Sequence, residues 1–172
     1  MKTVMRHQIA NYLNVGTSGK EEYELMGAGF TSLDESPGAQ TESTKYINQT
    51  SSSSSVTSYE TSFAYEADHI VSEKAVDALY LVGRNHYTGE EAEFDFVVVE
   101  LWNKAEAADT YEARKFRVSC EASDYGGDNK QTISGNLNAV GDPVLGTFNT
   151  KTKTFTEAVA TAEVAHSFIF RR

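Results

Sequence analysis

The run Phe94-Asp95-Phe96-Val97-Val98-Val99-Glu100-Leu101-Trp102 is apolar on both faces through its centre. A strand with one wet side alternates apolar and polar residues. This one does not, so it belongs inside a sheet or is pressed against a neighbour on each side. Around it the chain reads as β. Residues 115–122 place Phe116, Val118 and Cys120 on one face and Lys115, Arg117 and Ser119 on the other. Residues 131–140 return with Ile133, Leu137 and Ala139 on one face, and 21–26 and 153–156 read as shorter strands. Phe96, Val98, Phe116, Val118, Ile133 and Leu137 are the expected core of the inner sheet. Asp124-Tyr125-Gly126-Gly127-Asp128-Asn129 and Gly141-Asp142-Pro143 have turn composition.

One helix is expected over 72–84. Ser72 serves as its N-cap, with Glu73 just inside where the positive helix end favours it. Ala75, Ala78, Leu79 and Val82 form a core-facing stripe, and Gly83 followed by Arg84-Asn85 stops it. The expected fold class is therefore mainly β, a sandwich or barrel of antiparallel sheets, with one flanking α-helix and a long extended loop.

That loop is the oddity. Thr, Ser, Gln, Glu and Gly dominate residues 31–62, and 51–55 are five serines in a row. Such a segment is too poor in bulky apolar groups to collapse by itself. A domain of this size rarely carries so long an irregular stretch unless the stretch works. Residues 56–65 are rich in Thr, Tyr, Val and Phe, where the arm is expected to rejoin the sheet. Something outside the chain, most simply another copy, would have to order the polar part. This points to an assembly subunit.

Composition narrows the functions further. The 172 residues fit one domain, and a net charge of −10 argues against ordinary nucleic-acid binding, which needs Lys and Arg to replace counterions. Cys120 is the only cysteine and reads as a small buried hydrophobe, so no intrachain disulfide is expected. No apolar run approaches membrane-spanning length, and Met1-Lys2-Thr3-Val4-Met5-Arg6 has no hydrophobic stretch behind it, so no membrane partner or signal peptide is expected and the chain reads as cytoplasmic in origin. His7, His69, His86 and His166 have no partners at metal-ligand spacing. Asp68-His69 beside the helix start is a neighbour pair that chance supplies. Gly16-Thr17-Ser18-Gly19-Lys20 fails as a phosphate loop, because Asn14 stands where the first Gly should be and Glu21 where Ser or Thr must hold magnesium. The 124–128 turn lacks a calcium-loop ligand ladder, and Glu90-Glu91-Ala92-Glu93 reads as a solvated run. No catalytic residue, cofactor or metal is expected.

Three stretches together carry a resemblance. Ile133-Ser134-Gly135-Asn136-Leu137-Asn138-Ala139-Val140-Gly141-Asp142-Pro143-Val144, followed by Gly146-Thr147-Phe148 and Lys153-Thr154-Phe155-Thr156, resembles the C-terminal signature of the major tail tube proteins of long, non-contractile-tailed phages and prophages. The stretch Leu33-Asp34-Glu35-Ser36-Pro37-Gly38 opening the polar arm and the helix end Val82-Gly83-Arg84-Asn85 are similar to that family too. The resemblance spans about residues 3–157, and the role of 159–172 is left open. It implies one tail-tube domain over 1–172, with 1–20 an N-terminal arm and 31–58 an extended inter-ring loop. It also implies hexameric rings of this homo-oligomer, closed into a β-barrel and stacked into a hollow tube. Inter-subunit contacts are then expected at Leu33, Asp34, Glu35, Ser36, Pro37, Tyr46 and Tyr59. Further implied partners are tail tip, tape measure and tail terminator proteins, with phage DNA passing through without specific binding. The implied location is the virion, after assembly in the host bacterial cytoplasm. The alternatives weighed against it are the inner tube of a contractile tail or phage-derived bacteriocin, and a non-enzymatic β-sandwich binding module.

Overall fold

Strand β7 (Glu93–Lys104) is paired on both sides, antiparallel to β1 (Ile9–Asn14) and to β8 (Thr110–Gly126). Its two apolar faces serve two cores. In the computed structural model, which describes residues 1–159, Phe96 and Val98 lie in one buried cluster and Val97 and Val99 in another. The remaining strands are β2 (Tyr23–Leu25), β3 (Phe30–Ser36), β4 (Ala39–Thr44), β5 (Ser53–Tyr59), β6 (Ser62–Asp68), β9 (Thr132–Ala139), β10 (Val144–Asn149) and β11 (Thr154–Glu157). All but β4 and β5 belong to one curled antiparallel sheet in the order β2-β1-β7-β8-β9-β6-β3, with β10 on β8 and β11 on β10. The mainly β expectation holds. The sheet is a half-barrel in place of two separate layers.

The length of β8 makes this possible. Its residues 110–115 pair with β10 and its residues 118–126 with β9, so one strand serves two neighbours along the same edge. The larger cluster gathers Phe96, Val98, Phe116, Val118, Ile133 and Leu137 with Leu13, Phe63 and the buried stripe of α1 (Lys74–Arg84). On the opposite face, Tyr12, Tyr23 and Phe148 pack ring to ring, with centroids 4.5 and 5.6 Å apart.

Several boundaries depart from the sequence reading. Residues 1–20 are not one arm, because β1 is buried in the sheet and only Met1–Met5 precede the first element, a 3₁₀ turn at Arg6–Gln8. The polar segment is not irregular. Its first part is β3 in the main sheet, and the rest is a separate β4–β5 hairpin in which every strand residue is exposed. The chain rejoins the sheet at β6, several residues after Val56. The N-cap of α1 is Glu73 rather than Ser72, and neither end uses a side-chain cap. The helix stops where the Gly83-Arg84-Asn85 stretch implied, with Arg84 its last residue and Asn85 its C-cap, and Gly83 also makes room for the Tyr125 hydroxyl, which donates to Tyr80 O at 2.7 Å. Strand β8 continues through Gly126, where a turn was expected. Residues 160–172 lie outside the described residues, and with them nearly all of the segment whose role was left open.

Two features of the main core carry predictions. Gly135, in the signature stretch, is squeezed between β6 and β8, where a Cβ would sit 2.0 Å from Glu121 O and 2.8 Å from the Tyr65 hydroxyl. Gly135→Ala should therefore cost about 1–3 kcal/mol, read as a lowered urea midpoint. Unchanged stability would contradict this packing. Beside it, Cys120 Sγ lies 3.6 Å from the Tyr65 hydroxyl, and burial pushes the Cys120 thiol up to about 11 and Tyr65 above the ordinary phenol range. Both groups are acids with raised folded values, so the unfolded chain loses these protons first. Their stabilisation is whole below about pH 9, the thiol's ordinary value, and falls as pH rises towards 11. A melting temperature that stays flat from pH 8 to 11 would contradict this.

Candidate assembly interface

Four strands, β3, β6, β9 and the C-terminal half of β8, turn one face into the main core and the other to solvent. The register aligns the outward residues in rows: Ser36, Ser62, Asn138 and Ser119; Asp34, Ala64, Asn136 and Glu121; Ser32, Glu66, Ser134 and Asp124. No row contains a cation or a large apolar group, and four members are carboxylates. In a folded chain about half the accessible surface is apolar, so so uniform a polar face is a specialised one.

The two long edges of this four-stranded unit are unpaired among the described residues. β3 pairs only with β6. On β8 the ladder to β7 ends at Ser119, leaving residues 120–126 without a partner on that side. Each free edge is seven residues long. Edges of this length are templates for another chain unless they are blunted by Pro, Lys or a covering element. Among the described residues, one side chain bonds to the open edge of β3. Arg6 Nη2 donates to Leu33 O at 3.1 Å and to Asn11 Oδ1 at 3.2 Å, while Nη1 donates to Ile9 O at 2.9 Å. An apolar groove of about 920 Å³ runs beside this edge, lined by Met5, Ile9, Leu25, Met26, Phe30 and Leu101 among others.

The expected contact residues fall into three groups. Leu33 is 6 % exposed in the main core, so its side chain cannot meet another subunit, although its carbonyl lies on the free edge. Asp34 lies in the outward rows, and Glu35 is held by both terminal nitrogens of Arg114 at 2.8 and 2.9 Å. Ser36 and Pro37 stand where the chain leaves for the hairpin. Tyr46 is at its tip beside the fully exposed Ile47, and Tyr59 ends β5, also exposed. The sequence reading passed over Ile47, Arg6, Glu66 and the β8 edge. The apolar pair Tyr46-Ile47 inside a run of polar residues was the one visible signal. The other three depend on pairing across the chain.

His69 stacks on Tyr80 at 4.1 Å and meets Gln131 at 2.8 Å, while Asp68 binds Lys130 at 2.5 Å. Both members of that neighbour pair are thus engaged in local structure. Among the described residues there is no group of three or more potential metal ligands, and no helix is long and apolar enough to cross a membrane.

Comparison with solved structures places this geometry. The chain superposes on a subunit of the tail of an empty gene transfer agent particle, refined with C6 symmetry, with a TM-score of 0.60 at 10 % identity, covering 83 % of this chain and 98 % of that one. A subunit from the virion of a native gene transfer agent gives 0.57 at 10 % identity over the same shares. The SPP1 tail tube gives 0.60 at 15 % identity, covering 81 % of this chain and 77 % of that one. No protein-family model and no curated protein sequence matches the chain. The fold is that of tail-tube subunits.

Proposed function

We propose that the chain is a non-enzymatic structural subunit that assembles with copies of itself into the hollow tail tube of a phage-type particle. The observation that carries this reading is the four-stranded unit with a uniformly polar, acidic outer face and a free edge on either side. Its strands alternate in direction and are even in number. A copy rotated about an axis parallel to them therefore presents its β8 edge antiparallel to the β3 edge of its neighbour, and the sheet continues without a break. The six-fold symmetry of the gene transfer agent tail supports a ring of six. Closure pairs both free edges of the four-stranded unit, which is the stable solution to the hazard such edges pose.

In that ring the outward rows line the lumen. Asp34, Glu66, Glu121 and Asp124 give DNA no attractive well, and serine and asparagine give it no apolar foothold, so the genome passes without being held. The exposed hairpin projects from the end of β3 towards the next ring. On this reading the other partners are tail tip, tape measure and tail terminator proteins, and the protein resides in the virion after assembly in the bacterial cytoplasm. Negative-stain electron microscopy of the purified chain, concentrated and also seeded with tail tips, should show rings or hollow tubes. Monodisperse particles under both conditions would sink the reading.

A further inference from the structure

The β3 edge that self-assembly must use is already occupied. We propose that Arg6 is an assembly gate: in the free subunit its guanidinium sits on the β3 edge, and the β8 edge of a second copy displaces it on joining. The inference rests on the self-assembly reading and concerns how that assembly is held back.

The geometry is specific. The 3₁₀ turn at Arg6–Gln8 is fixed by two reciprocal contacts, Gln8 N donating to Met5 O and Met5 N donating to Gln8 Oε1, both at 2.9 Å. This turn aims Arg6 across the mouth of the half-barrel, from the start of β1 to the middle of β3. There it bridges Ile9 O, Asn11 Oδ1 and Leu33 O. Leu33 is the central residue of β3, and its carbonyl accepts from Arg6 Nη2 on the open edge. A pairing strand donates to the outward carbonyls of this edge, so it competes with the guanidinium for Leu33 O. Asn11 is one of only two buried polar residues among those described, and its side chain anchors the guanidinium. The groove beside the edge then offers apolar seats to the side chains that an incoming strand brings.

A gate of this kind differs in sign from a structural contact. Losing a structural contact weakens the subunit and slows assembly, whereas losing a gate speeds it. Light scattering at matched concentration should show Arg6→Ala assembling with a lag shortened several-fold and a critical concentration lowered by about tenfold, the effect of about 1.4 kcal/mol. Asn11→Asp sets a carboxylate against the guanidinium, tightens the clamp and should lengthen the lag. Arg6→Lys, with a single donor group and no fork, should fall between Arg6→Ala and the parent. A lag unchanged or lengthened in Arg6→Ala overturns the gate while leaving self-assembly intact. Parent chains that never assemble, even on seeded ends, overturn the self-assembly reading and the gate with it.

Discussion

Phe96→Asp should give a chain that never reaches the native state, with far-ultraviolet circular dichroism and amide exchange both reporting an unfolded ensemble. Phe96 is fully buried. Its ring lies 4.7 Å from Phe63, which in turn meets Phe116 at 5.1 Å. Its register neighbours are Leu13 and Phe116. Removing a ring of this kind costs about 3–5 kcal/mol, and burying an unpaired carboxylate adds several more. A domain holds only about 5–15 kcal/mol in all. Two positions along the same strand the outcome should differ. Val98 is also buried, but it faces Arg114 across the ladder, and Arg114 Nε is buried without a hydrogen-bond partner. Val98→Asp should therefore fold with a lowered melting temperature, because Arg114 Nε, the one nitrogen not held by Glu35, can donate to the new carboxylate. Equal damage at 96 and 98 would mean that Arg114 is not available. A folded Phe96→Asp would mean that β7 is not the centre of the sheet.

This contrast shows what the sequence could and could not convey. The doubly apolar run from Phe94 to Trp102 announced an interior strand, because only burial on both faces explains it. The alternation of Phe116, Val118 and Cys120 fixed which face of β8 meets the core. Two cores on opposite faces of β7 were implicit in that same pattern, yet nothing local said that Tyr12, Tyr23 and Phe148 would supply the second. Strands β1 and β3 were hard to read for a different reason. Ile9-Ala10-Asn11-Tyr12-Leu13-Asn14 carries no clear alternation because both its faces are partly used, and Phe30–Ser36 has one buried anchor, Leu33, among polar residues. Gly83-Arg84-Asn85 marked the helix end correctly, whereas the close approach of the Tyr125 hydroxyl to Gly83 comes from another element and has no local trace. The acidic rows were equally hidden. Asp34, Ala64, Asn136 and Glu121 form a line only after four strands are placed in register. The proposed interface is thus a property of pairing, and composition gave only its sign.

Replacing residues 39–59 by a two-residue Asn-Gly turn between Gly38 and Glu60 should leave a folded chain that closes rings but builds no tubes. The base of the hairpin is already a closed junction: Glu60 N donates to Gly38 O at 3.0 Å, and Thr61 Oγ1 donates to Pro37 O at 3.2 Å. Above that base every residue of β4 and β5 is exposed, and those strands pair only with each other. The deletion thus removes no core contact, and the shorter connection costs less closure entropy. Its effect on stability should be within about 0.5 kcal/mol. The same exposure argues that the hairpin exists for something outside the subunit. A two-stranded ribbon is marginal in water by itself, and Tyr46 and Ile47 at its tip are apolar groups without cover. In the proposed tube, a second ring would supply both the support and the cover. Electron microscopy of the deletion variant separates the two contacts a tube requires. Rings without tubes assign stacking to the hairpin and ring closure to the β3 and β8 edges. Tubes of normal length would remove the hairpin from stacking, and the loss of rings as well would move it into the contact between neighbours of one ring.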